Sequence, residues 1–207
     1  MTTMIATPPA PELLQEDQAR ADSYALISRL FHAGPDDQLL AAIAGAGNVP
    51  DAAAELPLLA AWQSLAAAAA TADAEAARHE YDLVFVGTGK AEITPYASHY
   101  LAEAMQERVL VRLREDLAQM GLARTAAAAE YEDHLSGLCE VMRHLISFGS
   151  ENAALRKQKL FFLEYLAPWY AGFCALVMAS PNTNFYKQVA VFTGAFLDVE
   201  RSSYEMI

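Results

Sequence analysis

The segment Gly87-Thr88-Gly89-Lys90 is the first place in the sequence with residues suited to chemistry, because it follows an apolar run and ends in a lysine. A phosphate-binding loop needs the pattern Gly-x-x-x-x-Gly-Lys-Ser/Thr, whose hydroxyl residue ligates magnesium. Here Val84 lies five residues before Gly89, and Ala91 follows the lysine. The pattern therefore argues against a phosphate loop and favours glycines that end a helix.

Two further sets of residues have side chains that act in metal binding or catalysis. Glu130 and His134 are separated by three residues and form such a pair once, whereas a di-iron site in a helical bundle needs Glu-x-x-His twice and further glutamates. Ser98 precedes His99, but neighbouring side chains on a helix point about 100° apart. No Gly-x-Ser-x-Gly turn surrounds the serine. The sequence therefore predicts neither a metal site nor an enzyme.

The pair Asp133-His134 is the candidate that remains. The region from Ala126 to Phe148 is predicted as one amphipathic helix. Its apolar stripe consists of Tyr131, Leu135, Leu138, Met142, Leu145 and Ile146. Asp133 and His134 fall at the edge of this stripe, either as a solvated carboxylate with a half-buried histidine or as part of a groove. The stretch from Tyr81 to Leu101 is predicted to form the other wall of that groove, which would bind a peptide.

The elements that must position these residues are helices. Helical periodicity, with glycine or proline at the segment ends, predicts an all-α, single globular domain of about eight or nine helices. Residues 1–11 are predicted to be a flexible leader and residues 12–207 the helical domain. Within that domain a smaller N-terminal part ends at about residue 86, residues 87–95 form a hinge, and residues 96–207 form the larger C-terminal part.

Local signals set the expected boundaries around the hinge. Leu83–Val86 is predicted to be the last turn of the preceding helix, since no second strand offers it a partner. Gly87 is then expected to end that helix with a positive φ angle. Thr94 and Pro95 are predicted to start the next helix, as its N-cap and its first residue.

Composition restricts the class of partner. The net charge is −12 and the chain has 14 lysines and arginines, which argues against a nucleic-acid binder. Acidity either keeps the protein soluble or attracts a cationic ligand. The only cysteines, Cys139 and Cys174, lie in apolar helical contexts and are predicted to be buried free thiols in a reducing compartment.

One apolar stretch, Leu160 to Ser180, is long enough to span a membrane. It contains Glu164 and Pro168 near its middle, and a charge at that depth costs about 3 kcal/mol. It is therefore predicted to belong to a core helix over residues 152–179 that is kinked at Pro168. The protein is expected to be soluble and cytoplasmic.

Three motifs follow one another along the chain. They are Tyr81-Asp82-Leu83-Val84-Phe85-Val86-Gly87, Pro95-Tyr96-Ala97-Ser98-His99-Tyr100-Leu101 and Glu132-Asp133-His134. Together they resemble the signatures Y-x-x-L-F-x-G, P-x-x-S-x-Y and E-P-D-H of the TorD/DmsD family of redox-enzyme maturation chaperones, which is related to NarJ. The chain departs from them at Val84, where leucine is usual, and at Tyr131 and Glu132, where glutamate and proline are common.

The resemblance implies a cytoplasmic chaperone that binds the twin-arginine signal peptide, and the apo-form, of a molybdenum-cofactor oxidoreductase before export. Its expected site residues are Tyr81, Phe85, Tyr96, Ser98, Tyr100, Glu132, Asp133 and His134, with Gly87, Gly89 and Pro95 shaping the hinge. Asp133→Asn is expected to weaken peptide binding. Titration of His134 near pH 6.5 is expected to make the affinity depend on pH.

Other functions stay open at this point. A nucleotide-binding switch or an enzyme using residues 87–90 is the alternative, and GTP is a ligand by family analogy only; otherwise no cofactor is expected. A structural subunit held in an oligomer by the aromatic segment 161–173 is a third class. The protein is expected to be a monomer or a domain-swapped dimer, and the sequence does not identify the client enzyme.

Overall fold

The computed structural model describes residues 13–47, 56–87, 89–101, 106–123, 130–149 and 151–206. These residues form ten α-helices and one π-helical turn, Asp82–Val86, and none of them belongs to a strand. The α-helices are α1 (Gln15–His32), α2 (Asp37–Gly45), α3 (Pro57–Thr71), α4 (Ala74–Tyr81), α5 (Ala97–Leu101), α6 (Gln106–Gln119), α7 (Leu135–Ile146), α8 (Asn152–Tyr165), α9 (Tyr170–Ala179) and α10 (Phe185–Glu205). The all-α prediction is confirmed. The predicted leader, residues 1–11, lies outside the described residues.

The segment around Pro168 divides one predicted helix into two. Residues 166–169 form turns between α8 and α9, whose axes are bent by 51°. A proline ring clashes with the preceding helical turn and has no N–H to donate, so the helix cannot continue through it. The kink was predicted at this position, and its extent makes α8 and α9 separate elements, so the described residues have ten α-helices where the sequence suggested eight or nine.

Two predicted helix starts are wrong. Thr94 and Pro95 do not begin α5, which starts at Ala97 and whose first amides donate to residue 133, far away in the sequence. The helix expected from Ala126 begins at Leu135 as α7, after a turn at residues 132–133, while residues 126–129 lie outside the described residues. In consequence Tyr131 is exposed instead of lying on the buried stripe.

Aromatic rings at the centre of the core join four elements. Phe85 of the π-helical turn contacts Phe31 of α1, Phe173 of α9 and Tyr186 of α10 at centroid distances of 5.5, 6.1 and 5.1 Å. Such ring pairs add about 0.5–1.5 kcal/mol each beyond the burial of their area. Around this centre α1 packs against α7, and α10 packs against α3 and α9.

A buried ion cluster fixes the N-terminal end of α1 to α10. The Arg20 guanidinium donates to both carboxylate oxygens of Glu200, at 2.7 and 2.9 Å, and to Asp17 at 2.9 Å. The Tyr24 hydroxyl also donates to Glu200 at 2.9 Å. Removal of one partner from such a cluster leaves an uncompensated buried charge, which is strongly destabilising. The cluster therefore fixes how α1 packs on α10.

The predicted hinge is attached to its surroundings by hydrogen bonds. Gly87 has φ 65°, as expected, and a Cβ there would lie 2.2 Å from the Lys90 carbonyl oxygen, so only glycine fits. The Ile93 amide donates to Val84 O at 2.9 Å. The Glu92 carboxylate accepts from side chains of the turn at residues 180–182, at 2.6 and 2.7 Å. A hinge motion of residues 87–95 stays a prediction.

The helices and side-chain clusters of the described part of the chain bear on membrane insertion and metal binding. There, no single helix has both the length and the apolar composition to cross a membrane, and only α8 and α9 taken together across their bend pass that test, by length and composition alone. The same residues contain no group of three or more histidine, cysteine or acidic side chains arranged to hold a metal ion. Cys139 and Cys174 are buried free thiols, as predicted.

Candidate functional site

Two distant segments, residues 95–98 and residues 133–135, are paired through their backbones. The Leu135 amide donates to Pro95 O, and the Ala97 amide donates to Asp133 O, both at 2.9 Å. These bonds flank an isolated antiparallel bridge between Tyr96 and His134. The second and third sequence motifs therefore meet in space, as a single structural unit that connects the start of α5 with the start of α7.

Asp133 supplies the N-terminal cap of α5 from outside that helix. Its Oδ2 accepts from the Ser98 amide at 2.9 Å, and the side chain is almost completely buried. The other carboxylate oxygen, Oδ1, is also buried and has no hydrogen-bond partner among the described residues. The expectation that Asp133 lies on the flank of a helix at a groove edge is wrong, since it holds two segments together in the interior.

His134 caps the next helix. It precedes Leu135 with extended backbone angles, and its Nδ1 accepts from the Ser136 amide at 3.1 Å. The side chain is buried, and this burial, with a smaller contribution from His32, lowers the pKa of His134 to about 4. The expected titration near pH 6.5 is therefore wrong for this residue, which is neutral over the physiological range.

A cavity of about 670 Å³ lies beside this unit, between the last turns of α1 and the outer face of α7; it is called the α1–α7 cavity below. Its apolar lining consists of Leu117, Leu122, Ala123 and Val141. Gly137, in the first turn of α7, also lines it, and a Cβ at that position would lie 3.2 Å from the Glu132 carbonyl oxygen. The missing side chain lets the segment that contains Glu132 run close against α7.

The cavity is acidic as well as apolar. Among the described residues, its acidic lining consists of Glu130, Glu132 and Glu140, and one arginine, Arg29 from α1, also contributes. Arg29 is itself paired with Asp36 at 3.2 Å. An apolar surface whose described lining has more carboxylates than arginines favours a ligand that combines apolar side chains with positive charge.

Tyr96 supports the cavity wall from behind. Its hydroxyl is hydrogen-bonded to the Glu130 carboxylate, and its ring lies edge-on to Tyr131 and His134, with centroid distances of 6.4 and 4.9 Å. Tyr131 lines the cavity and is more than half exposed. An exposed aromatic ring between two carboxylates offers both an apolar surface and a face on which a guanidinium stacks.

The predicted site residues separate into three groups. Only Glu132 lines the α1–α7 cavity, and Tyr96, Ser98, Asp133 and His134 lie in the unit that supports it. Tyr81, Phe85 and Tyr100 are packing residues in this structure. Their contacts are hydrogen bonds from the Tyr81 hydroxyl to Phe31 O and His32 O, the aromatic cluster around Phe85, and stacking of Tyr100 on Trp169 at 5.1 Å. The stretch from Tyr81 to Leu101, which was predicted to form one wall of the groove, therefore does not line this cavity.

Sequence reasoning missed most of the lining. The sequence pattern presents Glu130 only as a candidate metal ligand, predicts Tyr131 on a buried stripe, and indicates no role for Glu140 and Val141. The signal was present in the run Glu130-Tyr131-Glu132, where two carboxylates flank an aromatic residue immediately before Asp133. This signal was missed because the predicted helix extends upstream of Leu135, where α7 begins.

A family model described as "Nitrate reductase delta subunit" matches residues 51–175, which is more than half of the chain. The chain belongs to the nitrate reductase delta subunit family. This family comprises the NarJ/NarW redox-enzyme maturation proteins, which are similar to TorD, so the suspected resemblance is confirmed. A comparison with curated proteins gives no match.

Membership in the nitrate reductase delta subunit family supports a chaperone role in the maturation of a molybdenum-cofactor enzyme. The matched residues contain the π-helical turn, the paired segments 95–98 and 133–135, and all of α7. Of the cavity, only the contribution from α1 lies outside the match. The family assignment and the geometry therefore concern the same part of the molecule.

We predict that the role of Asp133 is that of a hydrogen-bond acceptor. Asp133→Ala leaves the buried Ser98 amide without its partner and should lower the free energy of unfolding by about 1–3 kcal/mol, whereas Asp133→Asn keeps an acceptor and should lower it by less than about 1 kcal/mol. Urea unfolding measures both, with Asp73→Ala, which removes the exposed cap of α4, as control. Equal losses for the asparagine and alanine variants would contradict this role.

A second prediction concerns His134 and acid stability. The pKa of histidine is about 6.5 in an unfolded chain and about 4 for His134 in the folded protein, so between these values the unfolded state binds more protons. The free energy of unfolding therefore decreases as the pH falls from about 6.5 to 4, by up to about 3 kcal/mol from this residue. His134→Asn keeps a neutral cap and should remove this contribution. Parallel stability–pH curves for the two proteins would show that His134 is not responsible.

Proposed function

We propose that this protein is a cytoplasmic chaperone that binds the twin-arginine signal peptide of a molybdenum-cofactor oxidoreductase in the α1–α7 cavity before export. The observation that carries the proposal is the combination of an apolar lining with three glutamates in one cavity of about 670 Å³. A twin-arginine signal peptide has the matching chemistry, since two guanidinium groups precede an apolar segment. Family membership supplies the class of client.

The two kinds of lining have different tasks. Carboxylates bind guanidinium groups through charge-assisted hydrogen bonds, in which two parallel N–H donors meet two oxygens. The apolar residues Leu117, Leu122 and Val141 receive the side chains of the apolar segment. Tyr131, exposed between Glu130 and Glu132, contributes ring surface to either part of the peptide.

Rough magnitudes suit a reversible complex. One fully buried leucine-sized side chain contributes about 1.5–3 kcal/mol, and a hydrogen bond to a charged group contributes about the same. Two such side chains and two such hydrogen bonds together give about 6–12 kcal/mol of binding free energy before the cost of association is subtracted. A micromolar Kd corresponds to about 8 kcal/mol. We therefore expect a Kd in the micromolar range or weaker, which permits release of the client for export.

The glycine loop gives less support for a nucleotide-dependent switch. In a phosphate loop, backbone amides lead directly into the N-terminus of a helix. Here the described residues after Gly89 stay non-helical until Ala97, and the Lys90 carbonyl faces Gly87 at close range. GTP binding stays a prediction by analogy, and the peptide proposal is independent of it.

The test is titration of a fluorescent twin-arginine peptide with purified protein. Glu130→Gln/Glu140→Gln removes two carboxylates from the cavity and should raise the Kd by about tenfold, which corresponds to about 1.4 kcal/mol. It should also reduce the dependence of the Kd on salt. Glu132 is left unchanged because Arg114 donates two parallel bonds to its carboxylate, whereas Glu140 receives a single bond, from Arg143 at 3.2 Å.

The matched control is Glu164→Gln/Glu205→Gln. These glutamates have side chains that are 42% and 60% exposed and lie outside the cavity, and their substitution changes the net charge by the same amount. The control should bind the peptide within about twofold of the wild type. If both double variants weaken binding equally, the peptide responds to net charge alone, and if the wild type shows no saturable binding, the proposal fails.

A further inference from the structure

Glu132 of the acidic lining is held by an arginine of the protein itself. Arg114, on α6, donates from Nε to Oε1 at 2.9 Å and from Nη2 to Oε2 at 3.0 Å. These are two parallel bonds to the two oxygens of one carboxylate, the strongest arrangement available to an arginine. The Glu132 side chain is only 10% exposed, whereas that of Arg114 is 48% exposed.

The pair joins a solvent-accessible cation to a cavity carboxylate. Arg114 reaches Glu132 from α6 and is not itself part of the cavity lining. Because its guanidinium is accessible to water, it can leave Glu132 and become hydrated without unfolding of the surrounding helices. A carboxylate presents one edge to which a planar guanidinium attaches through two bonds, and Arg114 already occupies that edge.

We propose that Arg114 is an internal competitor of the signal peptide: an arginine of the peptide takes its place on Glu132, and Arg114 takes the carboxylate back when the peptide leaves. This inference rests on the proposed function and identifies one contact within it. Two N–H···O bonds are broken and two equivalent bonds are formed, so the exchange yields little net affinity. The internal pair therefore weakens the complex and keeps Glu132 neutralised in the empty chaperone.

Competition with the peptide and simple support of Glu132 predict opposite effects when Arg114 is removed. If Arg114 only positions the carboxylate, its loss should weaken peptide binding, because Glu132 becomes less well ordered. If Arg114 competes, its loss should strengthen binding, because the peptide's arginine gains a pair without breaking another. The sign of the change in Kd therefore decides between the two roles.

The experiment measures the Kd of a labelled twin-arginine peptide for the wild type and for Arg114→Gln, and we expect the Kd to fall by about three- to tenfold. Arg112→Gln is the matched control. Arg112 lies on the same helix, is 63% exposed and pairs with Glu164 outside the cavity. The Arg112→Gln substitution removes the same charge, so it measures how far a more negative protein attracts the peptide. The Kd of this control should stay within about twofold of the wild-type value.

Two further arms test the contact itself. In a Glu132→Gln background the peptide has no carboxylate to gain, so Arg114→Gln should no longer strengthen binding. A peptide with two lysines in place of its arginines should gain less from Arg114→Gln, because an ammonium group cannot form the two parallel bonds. Urea unfolding of each variant confirms that the folded state is retained.

The outcomes separate this inference from the proposed function. The competitor role is overturned if Arg114→Gln binds the peptide no better than Arg112→Gln does, or less well than the wild type does. In that case the proposal of peptide binding still stands. A gain that persists in the Glu132→Gln background also overturns it. If neither the wild type nor any variant shows saturable binding, the proposed function is rejected, and the competitor role is rejected with it.

Discussion

The hydrogen bond from the Ser98 amide to the Asp133 carboxylate is the interaction on which the rest of the site depends. It joins segments that are 35 residues apart, and it is buried, so its loss would leave an amide without a partner. With the backbone bonds beside it, it fixes where residues 130–132 emerge next to α7. The positions of Glu130 and Glu132 therefore follow from a buried contact between two residues that do not line the cavity.

The residues proposed to bind the peptide and the residues that position them are neighbours in one short stretch. Residues 130–132 line the α1–α7 cavity, whereas Asp133 and His134 turn inward and cap two helices. Rigid caps next to an exposed acidic and aromatic edge orient a binding surface before the ligand arrives, which lowers the entropy cost of binding. An internal arginine on Glu132 is compatible with this design, since a maturation chaperone must both hold and release its client.

Much of the fold could be predicted from the sequence, because helical periodicity, glycine and proline report local structure. Gly87 and Pro168 were placed correctly on these grounds. The site could not be predicted equally well, because its main contacts are between segments far apart in the sequence. Asp133 looked like part of a helix flank, and only the three-dimensional pairing with Ser98 identifies it as a cap. Tyr81 likewise bonds carbonyl groups at the end of α1, which no local pattern records.

Our main proposal is that the apolar segment of a twin-arginine peptide binds in the α1–α7 cavity. Its most direct test is photo-crosslinking with a peptide that has benzoylphenylalanine in that segment, followed by mass spectrometry of the digested complex. We expect crosslinks to residues of the cavity lining, such as Leu117, Tyr131 and Val141. Crosslinks confined to other surfaces, for example the outer face of α8 or the loop at residues 87–90, would contradict it.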